Sequence, residues 1–209
     1  VGSWEFPTGG PAFIEALGDD DQVTFNGNAA GVSLVAGDGD DVTLISAGGV
    51  TGQLSESSIN GNAGDDDTTW LNITNSSIYG GRGNDFLATN PAGGGVTTNQ
   101  SEINGNRGED TISLTGSVTF TNVYGGRDDD LIIFNPTLNA FNNEINGNRG
   151  DDFLAIAIAG PGSSDNDVYG GADDDTINAI GTTTNVLLSG DKGNDVIRGG
   201  VGGGDQVLS

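Results

Sequence analysis

Apolar residues recur at every second place in short runs, and the runs themselves recur. "TISL" at 111–114 and "VTFTNVY" at 118–124 alternate Ile, Leu, Val, Phe and Tyr with Thr, Ser and Asn, the period-two pattern of half-buried strands. A polar "TGS" at 115–117 separates the two runs, and a glycine-rich acidic turn follows each pair. No stretch carries a helical period except "PAFIEAL" at 11–17, where a short helix or cap is expected. Two strands and two turns in roughly 20 residues make one coil of a parallel solenoid.

The acidic turns set the repeat. "INGNRGEDTISL" at 103–114 returns as "INGNRGDDFLAI" at 145–156, with "VYGGRDDDLIIF" at 123–134 between them. Aligned on one Asp of each turn, the last in every turn but that of Asp66, the chain gives Asp21, Asp41, Asp66, Asp85, Asp110, Asp130, Asp152, Asp175 and Asp195. Asn-Gly-Asn turns at 60–62, 104–106 and 146–148 alternate with Tyr-Gly-Gly turns at 79–81, 124–126 and 169–171, so the natural unit is a pair of coils. The expected fold is all-β: a right-handed parallel β-solenoid of about nine coils, each roughly 20–25 residues long. Its acidic corners stack along one edge, about 4.8 Å apart. The alternative takes each acidic turn as half a coil and puts acids on both edges. Tyr79, Tyr124 and Tyr169 are expected to form a stacked aromatic ladder.

Composition then narrows the chemistry. Among 209 residues, 30 are acidic and 6 basic, a formal charge of −24. That excludes nucleic acid as a natural partner and favours cations. His and Cys are both absent, which removes disulfides, thiolate sites and the usual zinc ligands. No apolar run reaches the length that spans a membrane. Glycine turns tolerate Asn and Asp for backbone reasons alone, but adjacency needs another cause. Asp19-Asp20-Asp21, Asp65-Asp66-Asp67, Asp128-Asp129-Asp130 and Asp173-Asp174-Asp175, stacked coil on coil, repel by about 1 kcal/mol per neighbouring pair in water and more where buried. Arg82, Arg107, Arg127, Arg149 and Lys192 share one place in the repeat and offset part of this. Several ions of Ca²⁺, a hard cation that takes carboxylate and carbonyl oxygens, offset the rest.

"GGRGNDFLA" at 80–88 and "GDKGNDVIR" at 190–198 resemble the Gly-Gly-x-Gly-x-Asp-x-aliphatic-x nonapeptide of RTX (hemolysin-type) calcium-binding β-rolls. "GDGDDVTLI" at 37–45 and "GGGDQVLS" at 202–209 are looser matches. The resemblance implies that Asp85 and Asp195, and by extension Asp41, Asp110, Asp130, Asp152 and Asp175, hold Ca²⁺ between consecutive coils. With the neighbouring acids of the same turns, the candidate metal ligands are Asp21, Asp38, Asp40, Asp41, Asp65, Asp66, Asp85, Asp110, Asp128, Asp130, Asp151, Asp152, Asp173, Asp175, Asp191 and Asp195. Second turns such as "NSS" and "TGS" are not acidic.

Residues 1–17 break the repeat and are expected to cap the solenoid domain of residues 18–209 or to dock on a neighbouring copy. The chain starts at Val1 and stops inside a repeat, as expected of a processed piece of a longer secreted product or of copies stacking end to end. No paired acids in an apolar cleft and no Ser–His system suggest catalysis. Expected is a secreted calcium-binding structural protein, a rod of a bacterial fibre, sheath, S-layer or adhesin. The alternative is a calcium-dependent folding and secretion module of a larger enzyme or toxin.

Overall fold

The computed structural model describes residues 3–6, 11–16, 18–46, 53–90, 95–158, 160, 163–180, 185–199 and 206–208. The chain is an all-β parallel solenoid in which every strand pairs, in parallel, with its equivalent one coil on. Sheet A runs through ten strands from Ser3–Phe6 to Val196–Arg198, and sheet C through ten from Ala12–Glu15 to Gln206–Leu208. Nine acidic corners lead from sheet C to sheet A, all on one edge, and nine corners bound about eight turns rather than nine full coils.

A third face was not expected. Among the described residues sheet B holds six short strands, from Ala29–Ala30 to Ala140–Phe141. One coil therefore runs Glu102–Arg107 in sheet C, Thr111–Thr115 in sheet A, Ser117–Thr119 in sheet B and Asn122–Arg127 back in sheet C. The run "VTFTNVY" is two strands, broken where Phe120 takes a φ of 52°. Glu56, Asn75, Gln100, Asn142, Asp165 and Asn185 turn the same corner in other coils, all with φ between 48° and 56°. Their left-handed backbone costs on the order of 1 kcal/mol each for a non-glycine. The next residue points inward and repays part of that with a neutral ladder. Ser57 N–H donates to Ser76 Oγ at 3.2 Å, Thr121 N–H to Asn143 Oδ1 at 3.0 Å, and Asn143 Nδ2 to Asn166 Oδ1 at 2.8 Å. These polar groups are buried and bonded to each other, so this second corner has no need of a cation.

Register, once set, stacks like on like. Ile59, Ile78, Ile103, Val123, Ile145 and Val168 form one buried column in sheet C. Leu87, Ile112, Ile132, Leu154 and Ile177 do so in sheet A. Leu54, Ile73, Val118 and Ala140 line sheet B, and all belong to one continuous core. Shifting a strand by one residue would turn its apolar column outward, which fixes the register. Length variation is taken up between sheets A and B. Leu71 alone separates the two strands in a 19-residue coil, whereas in a 25-residue coil the sheet A strand Phe86–Thr89 and the sheet B strand Thr97–Asn99 have seven residues between them in sequence.

Two further expectations fail. Ala12–Glu15 is a strand paired with Val32–Val35, not a helix, because seven residues cannot offset helix nucleation while an open sheet edge offers partners. Together with Ser3–Phe6, which pairs with Gln22–Phe25, it extends the same sheets as the repeats. The tyrosines do not stack. Tyr79 pairs with Asn60 and Asn104, and Tyr124 with Asn104 and Asn146, which leaves successive rings two coils, or about 9.6 Å, apart. Like sequence does not mean like place: Gln206–Leu208 lies in sheet C, whereas Gln22–Asn26 lies in sheet A. Residues 200–205, within the looser C-terminal repeat, lie outside the described residues.

Candidate metal centre

Each acidic corner begins where a sheet C strand ends in two consecutive tight turns. The first left-handed position is Gly37, Asn62, Gly81, Asn106, Gly126, Asn148, Gly171 or Asp191; the second, two residues on, is Asp19, Gly39, Gly64, Gly83, Gly108, Asp128, Gly150, Asp173 or Gly193. The alternation of Asn-Gly-Asn with Tyr-Gly-Gly follows from packing at the first. A Cβ on Gly81 would meet the backbone nitrogen of Asn62 at 2.7 Å, and Gly126 and Gly171 stand in the same relation to Asn106 and Asn148. Every other coil must therefore be bare there.

Beyond these turns the acids fall into two ladders of opposite direction. In the inner one, the N–H of each Asp donates to Oδ1 of the Asp in the following coil: Asp41 to Asp66 and Asp110 to Asp130 at 2.8 Å, Asp66 to Asp85 at 2.9 Å, and Asp175 to Asp195 at 3.0 Å. Asp21, Asp85, Asp130 and Asp152 extend the same column. The outer ladder is exposed and runs the other way: Asp65 N–H donates to Asp40 Oδ1 at 2.9 Å, Asn84 N–H to Asp65 at 2.7 Å, and Asp174 N–H to Asp151 at 2.9 Å. The adjacent acids of the sequence thus serve two columns that hold the coils together from both directions.

The inner carboxylates are half-satisfied. Oδ2 of Asp41, Asp66, Asp85, Asp110, Asp130, Asp152 and Asp175 is buried with no hydrogen-bond partner. From Asp66 onward, Oδ2 of each inner Asp, Asp195 included, points at the bare Cα of a glycine five residues earlier, from Gly61 for Asp66 to Gly190 for Asp195. Beside Gly105 the carbonyl of Gly125, from the next coil, also approaches: a Cβ there would lie 2.6 Å from that oxygen. Gly61 and Gly147 are crowded in the same way by the Gly80 and Gly170 carbonyls. Only Ala16 and Ala36 place a methyl in this cradle, in the first two coils.

Burial dominates the electrostatics. Desolvation first, then the neighbouring carboxylates, push Asp66, Asp85, Asp110 and Asp152 up to about 7, Asp130 to about 8 and Asp175 to about 6, while the backbone donor of the preceding coil pulls each back. Asp41 is raised for the same reason. Arg82, Arg107, Arg127, Arg149 and Lys192 do share one exposed column, but it lies on the strand before the turns and includes Asp38, Ala63 and Ala172. That lysine and the arginines do not enter the buried column.

The sixteen candidate ligands are thus sorted. Asp21, Asp41, Asp66, Asp85, Asp110, Asp130, Asp152, Asp175 and Asp195 share the inner column; Asp40, Asp65 and Asp151 the outer one. Asp128 and Asp173 sit in the second left-handed slot, Asp191 in the first, and Asp38 in the basic column. No three acidic side chains converge closely enough to ligate one ion among the described residues. Orphaned buried oxygens, the glycine cradle and adjacent carbonyls nonetheless form an all-oxygen donor set that fits a hard cation, one carboxylate per coil with backbone oxygens.

Four segments, residues 74–90, 138–155, 162–179 and 178–204, match the family model of the RTX calcium-binding nonapeptide repeat. Each contains one inner-column acid: Asp85, Asp152, Asp175 or Asp195. Neither a curated protein nor a solved structure matches the chain.

Proposed function

We propose, from the premise that this chain carries RTX calcium-binding nonapeptide repeats, that it is a calcium-stiffened extracellular rod with a structural or adhesive role. The observation that carries this reading is the run of seven buried carboxylates whose Oδ2 atoms have no partner. Asp66, Asp85, Asp110, Asp130, Asp152, Asp175 and Asp195 are the residues that would hold the ions, with the glycine carbonyls beside them; the outer acids Asp40, Asp65 and Asp151, with Asp128 and Asp173 of the turns, raise the local cation concentration. Bound Ca²⁺ supplies positive charge where the chain itself has none.

Until that charge arrives, a chain of −24 repels itself, so metal-binding energy is folding energy. Low cytosolic calcium keeps such a chain extended and exportable; millimolar calcium outside folds it. The repeat occupies nearly every described residue, which favours a structural role over a catalytic one. Circular dichroism and calorimetry test the calcium step: chelator should abolish the β-signal and added calcium restore it. Full β-structure in excess chelator at pH 8 would reject it. Electron microscopy in millimolar calcium tests the structural role, which predicts fibres or lattices. Uniform single rods would favour a folding and secretion module of a larger enzyme or toxin instead.

A further inference from the structure

A cleft away from the acidic corners does not repeat along the whole rod. It is open, about 650 Å³ in volume, and runs along the outward side of sheet C beside the left-handed corner that leads into that sheet. Asn122, Glu144, Asp167, Leu187 and Gln206 stand along it in one column of successive coils, four steps of about 4.8 Å, or about 19 Å in all. Asn142, Asp165 and Asn185 of the corner form its other wall. In the earlier coils the same column carries only Ser33, Ser58 and Ser77. A requirement of the fold would show in every coil, whereas the longer polar side chains stand only in the later ones.

The lining selects the ligand. Glu144, Asp165 and Asp167 bring negative charge and no cation lines the cleft, which turns away phosphates, sulfates and uronates. No three acidic side chains among the described residues converge on one ion, so a single metal ion does not fit. Polar groups outnumber the apolar Val186 and Leu187, and a lipid tail would leave them unpaired. Among the described residues, no protein group bonds the side-chain amides of Asn142, Asn185 and Gln206. Planar amides and carboxylates of this kind donate to and accept from the adjacent hydroxyls of a sugar ring.

An aromatic row borders the cleft. Tyr124 and Tyr169 follow Asn122 and Asp167 by two residues on the same outward face, and Tyr79 stands in their column. The Tyr124 hydroxyl is bonded to the side chains of Glu144 and Asn122, which tips the ring along its strand toward the cleft. Tyr169 lies near Asp167 and Glu144. Asn104 and Asn146 intervene and set the rings two coils, or about 9.6 Å, apart. In an extended β-1,4-linked pyranose chain every second ring presents the same face, and its repeat is close to this length. Each such face is a patch of C–H groups rimmed by hydroxyls, which suits a ring with an apolar body and a polar tip.

We propose that the outward side of sheet C binds a neutral, extended β-1,4-linked glycan lying along the rod, stacked on Tyr124 and Tyr169 and hydrogen-bonded by Asn122, Asn142, Glu144 and Asp167. The site uses no acidic corner, so it stands whether or not those corners hold calcium.

Isothermal titration calorimetry on protein that circular dichroism reports as folded tests it. Cellohexaose or N-acetylchitohexaose should bind. Maltohexaose, whose α-1,4 links curve the chain, and anionic hexagalacturonate should not. Tyr169→Ala should weaken the association about tenfold, and so should Asp167→Ala, at an exposed position where circular dichroism should report an unchanged fold. Ser58→Ala, in the same column outside the cleft, should change nothing. Added salt should leave the affinity unchanged, whereas it would weaken a basic peptide. The proposal is overturned if neither β-1,4-linked hexasaccharide binds the folded protein, if maltohexaose or hexagalacturonate binds as well, or if both cleft variants keep full affinity.

Discussion

Asp85 donates its backbone N–H to Asp110 Oδ1 at 2.8 Å, while Oδ2 of the same Asp110 is buried with no partner. One oxygen of the carboxylate is a structural acceptor and the other is left to a ligand. Replacing Asp110 by Asn separates the two roles. The amide oxygen still accepts from Asp85, but the buried charge is gone. Asp110→Asn should therefore lower the melting temperature in calcium, and change it little in chelator at pH 5, where burial already keeps the Asp110 carboxyl protonated. Calorimetry under both conditions measures the contrast, and a variant that loses as much stability in chelator as in calcium would contradict the assignment.

The raised inner carboxyls give the metal-free fold an unusual pH dependence. In the fold they titrate near 6 to 8, against 3.8 ordinarily. The folded state thus binds more protons than the unfolded one, and stability falls with rising pH across that interval. Without calcium, the contribution is complete below about pH 4 and lost as pH climbs through 6–8. With calcium the trend reverses, since protons compete for the same oxygens. Denaturant midpoints between pH 4 and 8.5, with and without chelator, read out both signs.

Gly105 faces Asp110 Oδ2 and the Gly125 carbonyl, so the methyl of Gly105→Ala overlaps both. The first two coils accommodate alanine at this place, so the fold should survive at a cost of about 1–3 kcal/mol and with weaker calcium binding. Gly199→Ala, whose methyl would meet only Val207 at 3.8 Å, is the control and should change neither. Denaturant unfolding and calcium titration distinguish the pair.

Trp70 Nε1 donates to Thr98 Oγ1 at 3.0 Å inside the core, and both side chains are fully buried. Thr98→Val keeps the shape and leaves the indole N–H alone, which should cost about 1–3 kcal/mol. Urea denaturation checks it.

Gln100 turns its corner at φ 48°, where Asn75, Asn142 and Asn185 do the same in other coils. Asn tolerates left-handed backbone better than Gln. Gln100→Asn should gain about 0.5 kcal/mol, visible as a raised melting temperature with an unchanged calcium titration.

What the sequence alone determined was everything that repeats at fixed spacing. Period-two alternation defined the strands, and the recurrence of Asp from Asp21 to Asp195 placed the acidic corners on one edge, because a parallel solenoid stacks whatever returns at the same phase. Local chemistry in the turns pointed to calcium, and the nonapeptide matches agree. Tertiary structure alone decided what depends on direction. It broke "VTFTNVY" at Phe120 into two faces, since a left-handed residue leaves no mark in an alternating pattern. It interleaved Tyr79 and Tyr124 with Asn104, since a two-coil repeat does not say which rows touch. And it divided neighbouring acids such as Asp65 and Asp66 into an exposed ladder and a buried one: identical side chains one peptide apart point opposite ways, and only the packed coil settles which of them loses its water.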